Sequence, residues 1–320
     1  MTAFDLREIQ AETLIRLTGK GVNIMYLVSD SVSTSKIKPF LTLFPDRVVN
    51  VGIAEQNLIG MAVGLANGGF IPVTGNAAPF LISRSAEQLK VDASYSGANI
   101  KVNGMHPGFS YGTDGITHHE VNDIGTVRGF PSFEIYAPCD GRECGAMTEY
   151  AVLHQGPVYM SLNSGRFPDI LGEDYRFVPG KPVQLSEGGD LTVIALGSAV
   201  HDVLEARRNL KSFCSMDIFA LSSIRPLDRE PLTDSVRKTG RVITVEQHSA
   251  HGGCGSLTAE FIAENGLGAR LIRLGVPEGF FTRNAGAAAN KGFFGLDAGG
   301  IERTVRKILS EKEVTPAPRS

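Results

Sequence analysis

The chain has 320 residues, 42% of them apolar and 20% charged, with a formal net charge of -3. That length admits about two domains and a sizeable core, and the charge balance excludes electrostatic attraction to nucleic acid or to an acidic membrane face. No apolar run approaches the roughly 18 residues a membrane span needs, and the start, with Asp5 and Glu8, carries no secretory apolar stretch, so a cytoplasmic protein is expected.

Leu6, Ile9, Leu14 and Leu17 recur at near-helical spacing, and Gly19 and Gly21 can end that helix. Residues 24–28 form a short apolar run that stops at Ser29, Asp30 and Ser31, and 48–51 form another. Residues 53–67, rich in Ala, Leu, Met and Gly, read as a helix. Strands are expected at 71–74, 100–102, 133–137 and 158–162, with helices at 85–93, 120–129 and 141–154. A polar stretch at 172–190, with Pro179, Gly180 and Pro182, marks a boundary. The alternation then restarts, with strands at 191–196, 216–220, 241–245 and 270–274 and helices at 199–210, 255–264 and 301–309. The fold class is α/β: two consecutive α/β domains with mainly parallel sheets, 1–178 and 183–320, followed by a frayed tail around Pro316 and Pro318.

The four cysteines form no CxxC pair and have no zinc-finger spacing to a histidine. In open parallel sheets, ligands bind beyond the carboxyl ends of the strands. Four segments fall there in the first domain: Ser29-Asp30-Ser31, the stretch from Gly52 to Asn57, residues 74–80, and the loop 106–119, which holds three of the seven histidines. Gly197-Ser198 and Gly252-Gly253-Cys254-Gly255 lack a GxGxxG pattern and are expected to be turns or subunit-packing positions.

The segment Val51-Gly52-Ile53-Ala54-Glu55-Gln56-Asn57 resembles the cofactor-glutamate motif of transketolases, and Asp114-Gly115-Ile116-Thr117-His118 resembles that family's Asp-Gly-Pro-Thr-His loop, with Ile116 in place of proline. Ser29-Asp30-Ser31 through Lys36, Pro138-Cys139-Asp140, and Glu246-Gln247-His248 with Gly252-Gly253 follow in the family's order, so the resemblance runs from about residue 5 to 310. It implies a thiamine-diphosphate pyrimidine-binding domain and then a transketolase C-terminal domain. The family's diphosphate-binding element, Gly-Asp-Gly with a distant Asn that holds magnesium, is not found. The expected protein is therefore one subunit of a split transketolase, with no metal ligands of its own. An N-terminal transketolase subunit would hold the diphosphate and Mg2+, in an α2β2 heterotetramer.

The resemblance assigns roles residue by residue. Glu55 meets the aminopyrimidine nitrogen of thiamine diphosphate and takes part in its proton exchange; a plain helix-start glutamate is the alternative. Phe80 stacks on the pyrimidine or simply packs in the core, while Ala77 and Ser83 stand where further aromatics occur in the family. His106, Asp114 and His118 contact the donor sugar, His106 and His118 as catalytic donors. Asp30 touches cofactor or forms an Asx turn. Arg166 binds a substrate anion, phosphate or sulfonate, or lies free on the surface, and Arg84 and Lys36 are further anion candidates. His119 is expected to face solvent. The implied reaction moves a two-carbon ketol unit from a ketose to an aldose. The alternatives are the beta subunit of a 2-oxo acid dehydrogenase and a non-catalytic assembly subunit; deoxyxylulose-phosphate synthase shares the motifs but carries all its domains in one chain.

Overall fold

The structure is a computed structural model that describes residues 3–279 and 283–310; the predicted frayed tail lies outside them. The first half runs β1 (Ala3–Asp5), α1 (Leu6–Gly19), β2 (Ile24–Val28), α2 (Lys38–Leu43), β3 (Val48–Asn50), α3 (Glu55–Asn67), β4 (Ile71–Ala77), α4 (Ala78–Arg84) and α5 (Ala86–Gln88). After α5 comes a π-helical stretch, Leu89–Tyr95, and then β5 (Lys101–Met105), α6 (Asp123–Arg128), β6 (Glu134–Tyr136), α7 (Gly141–Leu153), β7 (Val158–Leu162) and β8 (Arg166–Pro168). The second half runs β9 (Val183–Ser186), β10 (Leu191–Leu196), α8 (Val200–Asn209), β11 (Met216–Leu221), β12 (Ser223–Arg225), α9 (Glu230–Thr239) and β13 (Arg241–Ser249), then α10 (Cys254–Glu264), β14 (Arg270–Val276), α11 (Ala287–Phe294) and α12 (Ala298–Ser310).

Short, wholly apolar runs such as Ile-Met-Tyr-Leu-Val in β2, buried at every position, are what a parallel sheet covered on both faces requires. Among the described residues one sheet has the order β12-β6-β7-β5-β4-β2-β3 and a second the order β14-β13-β10-β11-β9. Every pairing in the first sheet is parallel except β12 with β6, and in the second all but β9 with β11. β1 and β8 form a separate antiparallel ribbon. Side chains cap helix starts: Asp5 accepts from the Arg7 amide ahead of α1, Asp140 from the Glu143 amide ahead of α7, and Asp297 from the Gly300 amide ahead of α12.

The two halves share a core. Leu58, Leu81 and Val102 belong to the same buried cluster as Leu196, Phe219, Leu232 and Phe261. The linkage is also made by backbone, because β12 comes from the second half and extends the first half's sheet beyond β6. Three residues, Ser-Ile-Arg, are too short to show a period, which is why the sequence gives no sign of it. The polar stretch 172–190 likewise contains a strand, β9, on the edge of the second sheet.

Two local readings change. Residues 74–80, read as a loop, continue β4 to Ala77 and then enter α4 with Pro79 in its first turn. The strand persists because Gly75 allows close approach: a Cβ there would lie 1.9 Å from the Tyr26 hydroxyl oxygen. The helix expected at 85–93 is α5, wound on as a π-helix from Leu89 to Tyr95, and a separate helix, α4, precedes it across a break at Ser85.

Candidate functional site

The carboxyl ends of β2 to β5 and β7 gather the predicted segments on one side of the first sheet. Glu55 is the first residue of α3, immediately after the turn that leaves β3. Gly52 makes that turn at φ +73°, and Ser29 holds it, its hydroxyl donating to Gly52 O at 2.7 Å and accepting from Ala54 N at 3.0 Å. The Glu55 side chain is 3% exposed. Asn76 Nδ2 donates to its Oε1 at 3.1 Å, and Arg84 Nη1 donates to Oε1 at 3.1 Å and Oε2 at 3.0 Å. Ile53, Ala54, Glu55, Gln56, Asn57 and Arg84 line an open cavity of about 550 Å³.

From Arg84 the contacts run on without a break. Its guanidinium carbon lies 4.3 Å from the centroid of the Phe80 ring, one helical turn earlier on α4. Phe80 meets His118 edge-on at 5.1 Å, His118 meets Tyr111 at 5.3 Å, and Tyr111 stacks on His106 at 4.5 Å and 25°. Thr117 Oγ1 and His118 Nδ1 are 2.9 Å apart.

His106 follows β5 at φ +61°, with its amide donating to Leu162 O at 3.1 Å. Arg7 Nη1 donates to His106 Nε2 at 2.5 Å and to Thr34 O at 3.0 Å. Burial, then the Arg7 charge, pushes the imidazole down to about 4. With Nε2 accepting from Arg7, the proton of the neutral ring belongs on Nδ1, which is buried and has no partner among the described residues. Arg7 is held in turn by Asp5, through Nε at 2.9 Å and Nη2 at 2.6 Å. Burial pushes the Asp5 carboxyl up, but the Arg7 hydrogen bonds and charge outweigh this and hold it below its ordinary range.

The loop 106–119 closes at its neck, where Gly108 N donates to Glu120 O at 2.5 Å and Glu120 N to Gly108 O at 3.1 Å. Burial, then the neighbouring Asp123, pushes the Glu120 carboxyl up. At Gly115, φ +75°, a Cβ would lie 2.3 Å from Asn284 Oδ1, so the second half of the chain presses on this loop.

The structure therefore brings Glu55, Phe80, His106 and His118 into one continuous wall. Asp114 is exposed on the short 3-10 turn, Gly112–Asp114, that leads to His118. Asp30 is exposed at φ +53°, and its amide donates to Asn50 Oδ1 at 3.0 Å. Arg166 sits on β8, donating to Ala3 O at 3.0 Å and lying 3.5 Å from Glu8, which also meets Lys36 at 3.6 Å. His119 corrects the solvent-facing expectation: it is half-buried, with Nε2 2.8 Å from Gly112 O and its ring edge-on to Phe109. The sequence reading missed Arg7, Asn76 and Tyr111. Only Tyr111 carried a signal, as an aromatic between two loop histidines. Among the described residues no three His, Cys, Asp or Glu side chains converge as metal ligands would, and no helix is long and apolar enough to cross a membrane.

Glu246, buried within β13, accepts from Cys254 N at 2.7 Å and Gly255 N at 2.8 Å and so caps α10. A Cβ at Gly253 would lie 2.1 Å from Glu246 Oε2, so these glycines form the turn, one of the two expected readings, that packs β13 closely against α10 within the chain.

The profile "Transketolase, pyrimidine binding domain" matches residues 2–168, and "Transketolase, C-terminal domain" matches 180–301. A protein of Actinobacillus succinogenes named as a subunit of apulose-4-phosphate transketolase is 43% identical over 92% of this chain and 96% of its own length. A subunit of the 6-deoxy-6-sulfo-D-fructose transketolase of a Clostridium species is 33% identical over 96% of this chain and 95% of its own. A solved structure described as a split gene transketolase, inactive beta4 tetramer, superposes with a TM-score of 0.85 at 32% identity, covering 97% of this chain and 98% of that one.

Proposed function

The chain belongs to the transketolase family; on that premise we propose that it is the catalytic-glutamate half of a two-chain, thiamine-diphosphate-dependent enzyme. In this reading a ketol unit of two carbons passes from an anionic ketose to an aldose. The observation that carries it is the unbroken wall from the Glu55 carboxylate through Arg84, Phe80, His118 and Tyr111 to His106.

The residues present fit the aminopyrimidine half of the cofactor. A buried carboxylate opens onto a cavity of about 550 Å³, beside a ring that can be stacked upon. Ala77, buried on β4, leaves the width that an aromatic would take. When bound, thiamine diphosphate supplies the nucleophilic carbon of the reaction. Glu55 holds or exchanges the proton at the pyrimidine nitrogen, and Asn76 fixes one carboxylate oxygen while it does so. Phe80 flanks the ring, and Asp30 approaches cofactor from the exposed end of β2. His106, through its unpartnered Nδ1, and His118 donate to oxygens of the donor sugar, and Asp114 accepts from a sugar hydroxyl.

Arg7, Lys36 and Arg166 surround Asp5, Glu8 and His106, and that cationic surplus supports a phosphate or sulfonate on the substrate. The substrates in the names of the two relatives, one a sugar phosphate and one a sulfo-sugar, support the same reading. Magnesium and the diphosphate belong, in this proposal, to an N-terminal partner subunit in an α2β2 assembly in the cytoplasm, and the two domains divide at 1–178 and 183–320. The test is to mix the chain with its partner subunit, magnesium and thiamine diphosphate and to screen phosphorylated and sulfonated ketoses for two-carbon transfer. Transfer that needs both chains supports the proposal; none with any ketose, despite cofactor bound, overturns it.

A further inference from the structure

The carboxylate that should meet the aminopyrimidine is already engaged within the chain. Asn76 takes Glu55 Oε1, and one Arg84 nitrogen spans both oxygens at 3.1 and 3.0 Å. The same guanidinium lies over the Phe80 ring at 4.3 Å. A planar, cationic, nitrogen-bearing group thus stacks on the aromatic and bonds the acid at once, which are the two recognitions assigned above to the pyrimidine.

We propose that Arg84 is a built-in occupant of the pyrimidine seat, which it holds in the unloaded subunit and must vacate when cofactor enters. The inference rests on the functional reading of Glu55 and Phe80. It accounts for a carboxylate that is 3% exposed: without Arg84 it would be a buried charge held by the Asn76 amide alone. It also accounts for the asymmetry of the pair, since the Arg84 side chain is 47% exposed. That side chain borders the open cavity beside Gln56 and Asn57 and can swing into it without leaving a void in the core. Loading is then an exchange of one planar partner for another, and the affinity of the seat is reduced by the fraction of time Arg84 fills it.

The test uses the assembled two-chain complex, titrated with thiamine diphosphate and magnesium by calorimetry and stopped flow. Arg84→Ala is expected to bind cofactor about tenfold more tightly and to load faster, with Arg84→Lys, which cannot stack as a plane, in between. In the complex labelled with 15N-arginine, the Arg84 Nε signal is expected to shift to the position of a free side chain as cofactor is added, and to lie there from the start in Glu55→Gln. Unchanged or weaker binding by Arg84→Ala, or an Arg84 signal that stays in place on loading, overturns the proposal while leaving the functional reading intact. A wild-type complex that binds no cofactor strikes the functional reading, and this proposal with it.

Discussion

At the scale of single residues, each role follows from a different neighbour. Glu55 can exchange a proton only as a carboxyl group, so Glu55→Gln should keep the fold and lower turnover by about 10²–10⁴-fold. Exchange of the cofactor's thiazolium proton, followed by NMR in the assembled complex, reads this step directly, and a wild-type exchange rate would remove Glu55 from the role. His118 stands between Phe80 and Tyr111, on the face where the donor sugar would react. Its loss in His118→Ala should cost about 2.7–4 kcal/mol in donor cleavage, as for other donors to a developing oxyanion, with cofactor affinity nearly unchanged. Asp114→Ala should instead relax discrimination among donor stereoisomers, because a group that bonds a hydroxyl penalises one that is misplaced. Donor kinetics at saturating cofactor separate the two, and variants that change only cofactor binding would remove the loop from the donor site.

At the scale of elements, close approach and loop electrostatics set what the site tolerates. Gly75→Ala pushes a methyl into the Tyr26 hydroxyl across β2 and β4, so its denaturation midpoint should fall by an equivalent of about 1–3 kcal/mol. Pairing it with Tyr26→Phe should recover part of the loss, and no recovery would show that the strain lies elsewhere. The loop 106–119 adds a pH dependence through His106, which faces Arg7 from α1, Asp5 from β1, Thr34 and Lys36 from the loop after β2, and Tyr111 from its own loop. Its proton affinity drops from an ordinary 6.5 to about 4 on folding. Between those values the unfolded chain binds more protons, so stability contributed here is whole above pH 6.5 and declines as the pH falls toward 4. Urea midpoints measured across this window should slope less in His106→Gln than in wild type, and equal slopes would exclude His106 as their source.

The same scale shows what the sequence could and could not disclose. Runs such as Ile24–Val28 and Leu191–Leu196 announce themselves, because a strand covered on both faces must be continuously apolar. The motif glutamate and the loop histidines were legible as chemistry collected at strand ends. Arg7 was not, since it reads as one more charge on an amphipathic helix until the fold sets it against His106. Asn76 was hidden for a similar reason: its segment reads as a loop, and only the strand pairing of Gly75 with Asn103 and Asn76 with Gly104 aims the amide at Glu55. β12 and β9 are short or polar and exist because a neighbouring edge offers them partners.

At the scale of the whole molecule, the chain presents an acid, a ring and a histidine wall but, among its described residues, no cluster of metal ligands. On the proposed two-subunit reading, the chain purified alone should bind magnesium and thiamine diphosphate weakly by calorimetry, and tightly once the proposed partner is added. Tight, metal-dependent binding by the lone chain would end the two-subunit account. The antiparallel pairing of Ser223–Arg225 with Glu134–Tyr136 bears on synthesis as well. Arg225 reinforces that edge by donating to Phe130 O and Arg128 O. On the ribosome, every other strand of the first sheet is made by residue 162, yet its outer edge stays bare until residue 225 has left the exit tunnel. For that interval the nascent chain shows an open row of amides and carbonyls, the kind of edge that recruits stray strands. A pause in translation before residue 225 has cleared the tunnel should thus aggregate the product, while the same pause once Ser223–Arg225 has emerged should be harmless.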